Sequence, residues 1–323
     1  MAAQRMTDPI DPDIAAFNRR LSSRWREHPA LDALSIARAR AVAEIVRAPL
    51  RAGGPAMART DDHRLESGDH RFRVRIHRPT GDAMPPALIY LHGGGFTLFS
   101  IDTHDRLMRE YAAAGGFAVV GVDYPLSPEA RYPVALEAVL TVLRWLAAEG
   151  AALGIDATRL AIGGDSAGAN LALAACLRLR DGAEGPGLQA MLLNYGTYSD
   201  RSSDAAEAEL GGPDAVLNRA EMDWFYGNYL RDDADRGDPY VCPLLADMTR
   251  LPPALLVVAE RDLLAEQSLA LAERFAAAGV PHRLSVYPGA THSFLEAMAT
   301  APIAMRAIGD GADWLKERLA PLL

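Results

Sequence analysis

The chain has 323 residues, half of them hydrophobic and 23% charged, and carries a net charge of −9 at neutral pH. This is ordinary globular usage with material for a large core, which excludes disordered, collagen-like and disulfide-framework classes. An acidic balance without a basic run gives no electrostatic footprint for nucleic acid or an anionic membrane, so neither partner is expected.

The first segment, Met1 to Arg20, alternates Pro, Asp and Arg with short apolar stretches and lacks the apolar core of a signal peptide. Residues 1–50 are expected to form helices ahead of a sheet. Alternation of Phe72, Val74 and Ile76 predicts a half-buried strand over Arg71 to His77. Compact apolar runs follow at Ala87 to Leu91, Ala118 to Val122, Leu160 to Gly163, Ala190 to Leu193, Ala254 to Ala259 and Leu284 to Tyr287, as strands covered on both faces require. Helical spacing marks Val134 to Glu149, Ala167 to Arg180, Leu264 to Ala278 and Ile303 to Leu319, with Gly150 and Gly279 as expected stops.

The alternation predicts an α/β domain around a largely parallel sheet. Residues 195–240 separate two strands by more than a crossover helix needs, and they hold Tyr195, Tyr198, Trp224, Phe225, Tyr226 and Tyr229. With residues 1–50 they are expected to form a lid over a catalytic domain of residues 51–194 and 241–323; the alternative is that they are peripheral helices whose aromatics pack a core.

No stretch approaches the roughly 18 apolar residues of a membrane span. Cys176 and Cys242 are too few for a metal knuckle and read as buried thiols in a reducing compartment, so a cytoplasmic location is expected. Lys316 is the only lysine, which removes chemistries built on a lysine in a glycine loop, on a strand or in a Schiff base.

Gly164-Asp165-Ser166-Ala167-Gly168 follows an apolar run and opens a helical one, the setting in which G-x-S-x-G makes a nucleophile elbow. So tight a turn needs small residues two before and two after the serine. His92-Gly93-Gly94-Gly95 follows the run at Ala87 to Leu91, where α/β hydrolases place the loop that contributes oxyanion donors; a plain glycine turn is the bland alternative. A serine hydrolase of this chain order then needs an acid and a histidine, and two histidines remain after Ser166. His282 opens a strand pattern and reads as structural, whereas His292 sits in the loop Pro288 to Ser293 beyond the last strand. Glu260 and Asp262 both follow the run at Ala254 to Ala259; Asp262 is favoured, with Glu260 expected in a salt bridge to a neighbouring arginine.

On these stretches, together with Val122 to Pro133, Asp235 to Cys242 and Tyr287 to Phe294, the chain resembles the hormone-sensitive-lipase-like esterases of the α/β-hydrolase fold, and most of all their bacterial acetyl esterase branch. The resemblance spans nearly everything from residue 70 onward. It implies Ser166, Asp262 and His292 as a catalytic triad, Gly94, Gly95 and Ala167 as oxyanion donors, and His92, Gly93, Phe96 and Asp165 at the substrate, with Gly93 mainly shaping the loop. It also implies a cap from the N-terminus and a mid-chain insertion. The family usually has a proline where this chain has Leu263 and a glycine where it has Ala169.

The reaction expected is hydrolysis of a small ester through an acyl-enzyme, with acetyl to butyryl groups preferred because Phe96, Leu98 and Phe99 follow the glycines. No metal or cofactor is implied, and a homodimer is allowed for. A catalytically silent binder is the alternative from another class, disfavoured because no triad member is missing. A dinucleotide enzyme is a third, and no G-x-G-x-x-G follows the first strand.

Overall fold

In the computed structural model, which describes residues 9–81, 83–212 and 215–321, the chain begins with α1 (Pro12–Trp25) and α2 (Ile36–Arg47). Asp11 caps α1 by accepting the N–H of Asp13 at 2.9 Å and of Ile14 at 3.1 Å, and Pro12 occupies the position where a missing N–H costs nothing. Ile14, Phe17 and Leu21 recur at three- and four-residue spacing and bury that face of α1. Expectations for residues 1–8, 213–214 and 322–323 fall outside the described residues.

Next come β1 (Arg59–Ser67), β2 (His70–Arg78), β3 (Ala87–Leu91), α3 (Asp105–Gly115), β4 (Ala118–Asp123), α4 (Val134–Glu149), β5 (Leu160–Asp165) and α5 (Ala167–Arg180). The second half holds β6 (Leu188–Asn194), α6 (Asp204–Leu210), α7 (Arg219–Tyr229), β7 (Ala254–Arg261), α8 (Ala265–Ala277), β8 (His282–Thr291) and α9 (Pro302–Arg318). The eight strands form one sheet in the order β1-β2-β4-β3-β5-β6-β7-β8. Pairs β1/β2 and β2/β4 are antiparallel and the rest parallel, the arrangement of an α/β-hydrolase fold. Each parallel strand of the centre is buried on both faces, which explains its unbroken apolar run.

Several expectations need correction. β1 carries Leu65 as its only large apolar residue, so an exposed edge strand of alternating polar residues left no hydrophobic signal. Helix α3 was not named either, although Leu107, Met108, Tyr111 and Ala112 form its buried face. Gly150 ends α4 in a right-handed conformation, φ −50°, whereas Gly279 beyond α8 takes the left-handed φ of 70° expected of a stop. β8 runs on to Thr291, so His292 follows a strand directly.

Parallel strands place their C-terminal ends along one edge of the sheet, and Ser166, Asp262 and His292 all follow such ends. At the opposite edge, Arg159, which precedes β5, donates Nη1 to Leu319 O at 3.2 Å and so fixes the end of α9 there.

Candidate active site

Ser166 sits between β5 and α5 with φ 53° and ψ −118°, a strained setting for a non-glycine residue that the surrounding turn enforces. The turn is that tight because a Cβ on Gly164 would lie 2.2 Å from Leu91 O, and one on Gly168 only 1.9 Å from the same atom. Small residues on both sides of the serine are therefore a steric demand of packing against β3. Ser166 N–H donates to Asn194 O at 2.9 Å, which ties the turn to the end of β6.

His292 Nδ1 stands 2.7 Å from Asp262 Oδ2, and His292 Nε2 stands 3.1 Å from Ser166 Oγ. A carboxylate only accepts, so Nδ1 carries the proton and Nε2 offers its lone pair to the hydroxyl. Asp262 is itself steadied by the N–H of Leu264, which donates to Oδ1 at 3.0 Å. The three side chains are at least nine-tenths buried, where their mutual attraction is little screened. Glu260 has different work: Oε2 accepts the N–H of Gly289 at 2.9 Å, and among the described residues it makes no bridge to the arginine expected beside it.

Gly94 adopts φ 114°, and a Cβ there would lie 2.3 Å from Leu98 O, so the loop closes only with glycine. Gly94 O accepts the N–H groups of Thr97 at 3.0 Å and Leu98 at 2.9 Å, leaving the loop's next amides for other acceptors. Ala167 opens α5, where an N–H has no partner inside the helix. Gly94, Gly95, Phe96, Asp165, Ser166 and His292 share one cavity of about 620 Å³.

His92, Gly93 and Ala167 are not among the residues lining that cavity. The His92 ring is buried, stacked on Tyr124 at 4.4 Å, with Nδ1 2.7 Å from Gly93 O; burial lowers its pKa to about 4, so it stays neutral and serves the loop's shape. His282 is structural as expected, with Nδ1 2.9 Å from Val280 O. Of the six aromatics named in that segment, Trp224, Phe225 and Tyr226 line the cavity, while Tyr198 and Tyr229 pack into the core. Phe96 divides its surface, stacking on Tyr229 at 3.8 Å and also lining the cavity.

Sequence reading missed Arg47, Glu221 and Glu296, all of which line the cavity. Arg47, at the end of α2, is paired with Glu296, lies over the Phe99 ring at 4.0 Å, and has its pKa drawn down to about 10 by burial. Burial pushes the Glu221 carboxyl above its ordinary value, with the His292 imidazole pulling the other way. Glu296 stands four residues after His292, a spacing that could have flagged it; Arg47 reads only as a basic residue in a helix's last turn.

A family model described as alpha/beta hydrolase fold matches residues 88–296. Among solved structures, a serine-to-alanine mutant of an alpha/beta hydrolase enzyme from the metagenome of Lake Arreo, Spain, is 31% identical, with 97% of this chain and 99% of that one covered and a TM-score of 0.88. A hyperthermophilic esterase from the archaeon Pyrobaculum calidifontis is 30% identical over 96% of this chain and 98% of its own, with a TM-score of 0.89. The thermostable carboxylesterase EstE1 from a metagenomic library is 31% identical over 90% of this chain and 99% of its own, with a TM-score of 0.85.

Proposed function

Because the chain belongs to the hormone-sensitive-lipase-like family of alpha/beta hydrolases, we propose that it is a serine carboxylesterase of the acetyl esterase type, hydrolysing short acyl esters of small molecules. The observation that carries this reading is the chain of contacts Ser166 Oγ, His292 Nε2, His292 Nδ1, Asp262 Oδ2, at 3.1 and 2.7 Å. Ser166 Oγ attacks the ester carbonyl carbon as its proton passes to His292 Nε2. The N–H groups of Gly94, Gly95 and Ala167 receive the negative charge that develops on the carbonyl oxygen. Collapse of the tetrahedral intermediate breaks the bond to the alcohol oxygen, which takes the proton from His292. Water then repeats the sequence on the acyl-enzyme, and Asp262 holds the imidazolium each time.

Residues 1–50 and 195–240 serve in this reading as the cap, since Trp25, Leu217, Trp224 and Phe225 line the cavity from those segments. Leu98 and Phe99 line it from the glycine loop, which supports a short acyl site. Both cysteines are buried and unpaired, in keeping with a cytoplasmic enzyme. The test is a series of 4-nitrophenyl esters from acetyl to dodecanoyl. A kcat/KM peak at four carbons or fewer is expected, because each methylene accepted is worth up to about 0.8 kcal/mol until the pocket ends. A monotonic rise to dodecanoyl would overturn the short-chain assignment, and no turnover of any ester would overturn the esterase.

A further inference from the structure

The two halves of the oxyanion site come from different elements: Gly94 and Gly95 from the loop after β3, Ala167 from the elbow after β5. One buried side chain bridges them. Asp165, immediately before the nucleophile, accepts the N–H of Gly93 at 3.2 Å and the hydroxyl of Tyr90 at 2.9 Å on Oδ1. Its Oδ2 lies 3.3 Å from Nε2 of His104, a residue between the glycine loop and α3 that is only 2% exposed. Burial opposes ionisation of Asp165, but the His104 imidazole and the hydrogen bonds from His104 and Tyr90 outweigh it and hold the carboxyl below its ordinary value.

His104 is held in turn. Nδ1 is 2.9 Å from Thr103 Oγ1, and Nε2 is 3.9 Å from Glu296 Oε1, whose carboxylate pairs with Arg47 on α2. The cluster therefore opposes two carboxylates to one guanidinium and one imidazole in a largely buried setting, and removing any member leaves a charge poorly matched. A second histidine–carboxylate pair thus stands directly behind the nucleophile, and the reaction described above makes no use of it.

We infer that Asp165 and His104 form a positioning unit that clamps the glycine loop to the elbow and so sets the spacing of the oxyanion donors, with Glu296, which follows β8, and Arg47 on α2 bracing it. A Cβ on Gly93 would meet Asp165 Oδ2 at 2.5 Å, which shows how closely the carboxylate is fitted to the loop. Neither Asp165 nor His104 exchanges a proton with the ester in this scheme. Their effect reaches the reaction through Gly94 and Gly95, whose amides must be placed for the oxyanion and not for the planar carbonyl.

This inference rests on the esterase reading, and its test separates the two. His104→Leu removes the donor to Asp165, and His104→Gln restores one. On 4-nitrophenyl acetate, His104→Leu should lose about 10- to 100-fold in kcat with KM within about twofold, as a displaced donor predicts. Affinity for a methyl trifluoromethyl ketone, which forms a tetrahedral adduct at the serine, should fall by the same factor. His104→Gln should recover most of both losses. If His104→Leu does not fold, Tyr90→Phe, which removes the hydroxyl donor, should give the same paired loss at about two- to fivefold. A melting temperature that falls while kcat and ketone affinity stay at wild-type values would make His104 merely structural and overturn the clamp. A wild-type enzyme that turns over no ester would overturn the reading beneath it.

Discussion

The floor of the site and its roof are built by different means. The floor hangs on the ends of β3, β5, β6 and β7, whose residues are almost wholly buried, and its turns are set by atoms too close for any side chain larger than hydrogen. The roof is held by arginines that reach across to it. Arg40 on α2 donates Nε to Thr97 O at 2.9 Å and Nη2 to Ser127 O at 2.7 Å, and also pairs with Glu129. Arg131 donates to Gly227 O and Leu230 O at the end of α7, and Arg236 pairs with Asp200. Dense apolar packing gives the floor one geometry, whereas long polar anchors tie the roof to it.

The sharpest test of that contrast lies in the floor. Ser166→Ala should reduce kcat by about a millionfold while the melting temperature stays within a degree or two, because the other groups act only through the nucleophile. Retention of a tenth of wild-type activity would show that the reacting oxygen lies elsewhere. Asp262→Asn should cost about ten thousandfold, since an amide at the orienting position favours the wrong imidazole tautomer, and Glu260→Gln should cost far less. Reversed severity of these two would make Glu260 the acid.

Arg40→Ala probes the roof. It frees two carbonyls and a carboxylate at a partly exposed site, so a loss of about 1–2 kcal/mol in stability is expected, seen as a lower denaturation midpoint. The predicted kinetic effect is a few-fold rise in KM with kcat retained; a large fall in kcat would mean that roof and floor are one unit.

Acid gives the smallest effect. Burial raises the pKa of Asp105, but hydrogen bonds from His77 and Arg109 and their charges outweigh it and leave it depressed; burial likewise opposes the Arg73 and Arg75 contacts that depress Asp102. A carboxyl depressed in the folded state stabilises above its unfolded pKa, about 3.9, and that contribution drains away as pH falls through this value toward the folded one. Amide exchange at pH 3 should therefore quicken along β1, β2 and α3 before it does in α2, where the exposed Glu129 carboxylate paired with Arg40 also weakens in acid but the Arg40 contacts with two carbonyls do not titrate. Faster exchange in α2 first would reverse the comparison.

The same contrast explains what could be read from the amino-acid string. β3 to β7 announce themselves because strands buried on both faces must be apolar. The run at Leu284 to Tyr287, expected to be covered on both faces, belongs instead to the edge strand β8 and leaves Leu284 and Val286 exposed. The elbow and glycine loop announce themselves because close backbone approach admits few residue types. β1 pairs its backbone at an edge, where its side chains are mostly polar and partner arginines of β2, so it left no hydrophobic pattern. Arg47, Glu296 and His104 were invisible for another reason. Their neighbourhood joins residues 47, 104, 165 and 296, and contacts between partners so far apart in sequence have no period to detect. Phe96 and Tyr229 show the limit within one motif: the type was legible, but the stacking that turns the ring partly into the core was not.

The lone lysine offers a practical handle. Lys316 is exposed on α9, close to Leu319, which Arg159 fastens to the sheet edge opposite the serine. Reagents that acylate side-chain amines have only this one to attack. A surface or resin coupled there would hold the molecule by its base, with the mouth of the cavity turned toward solution.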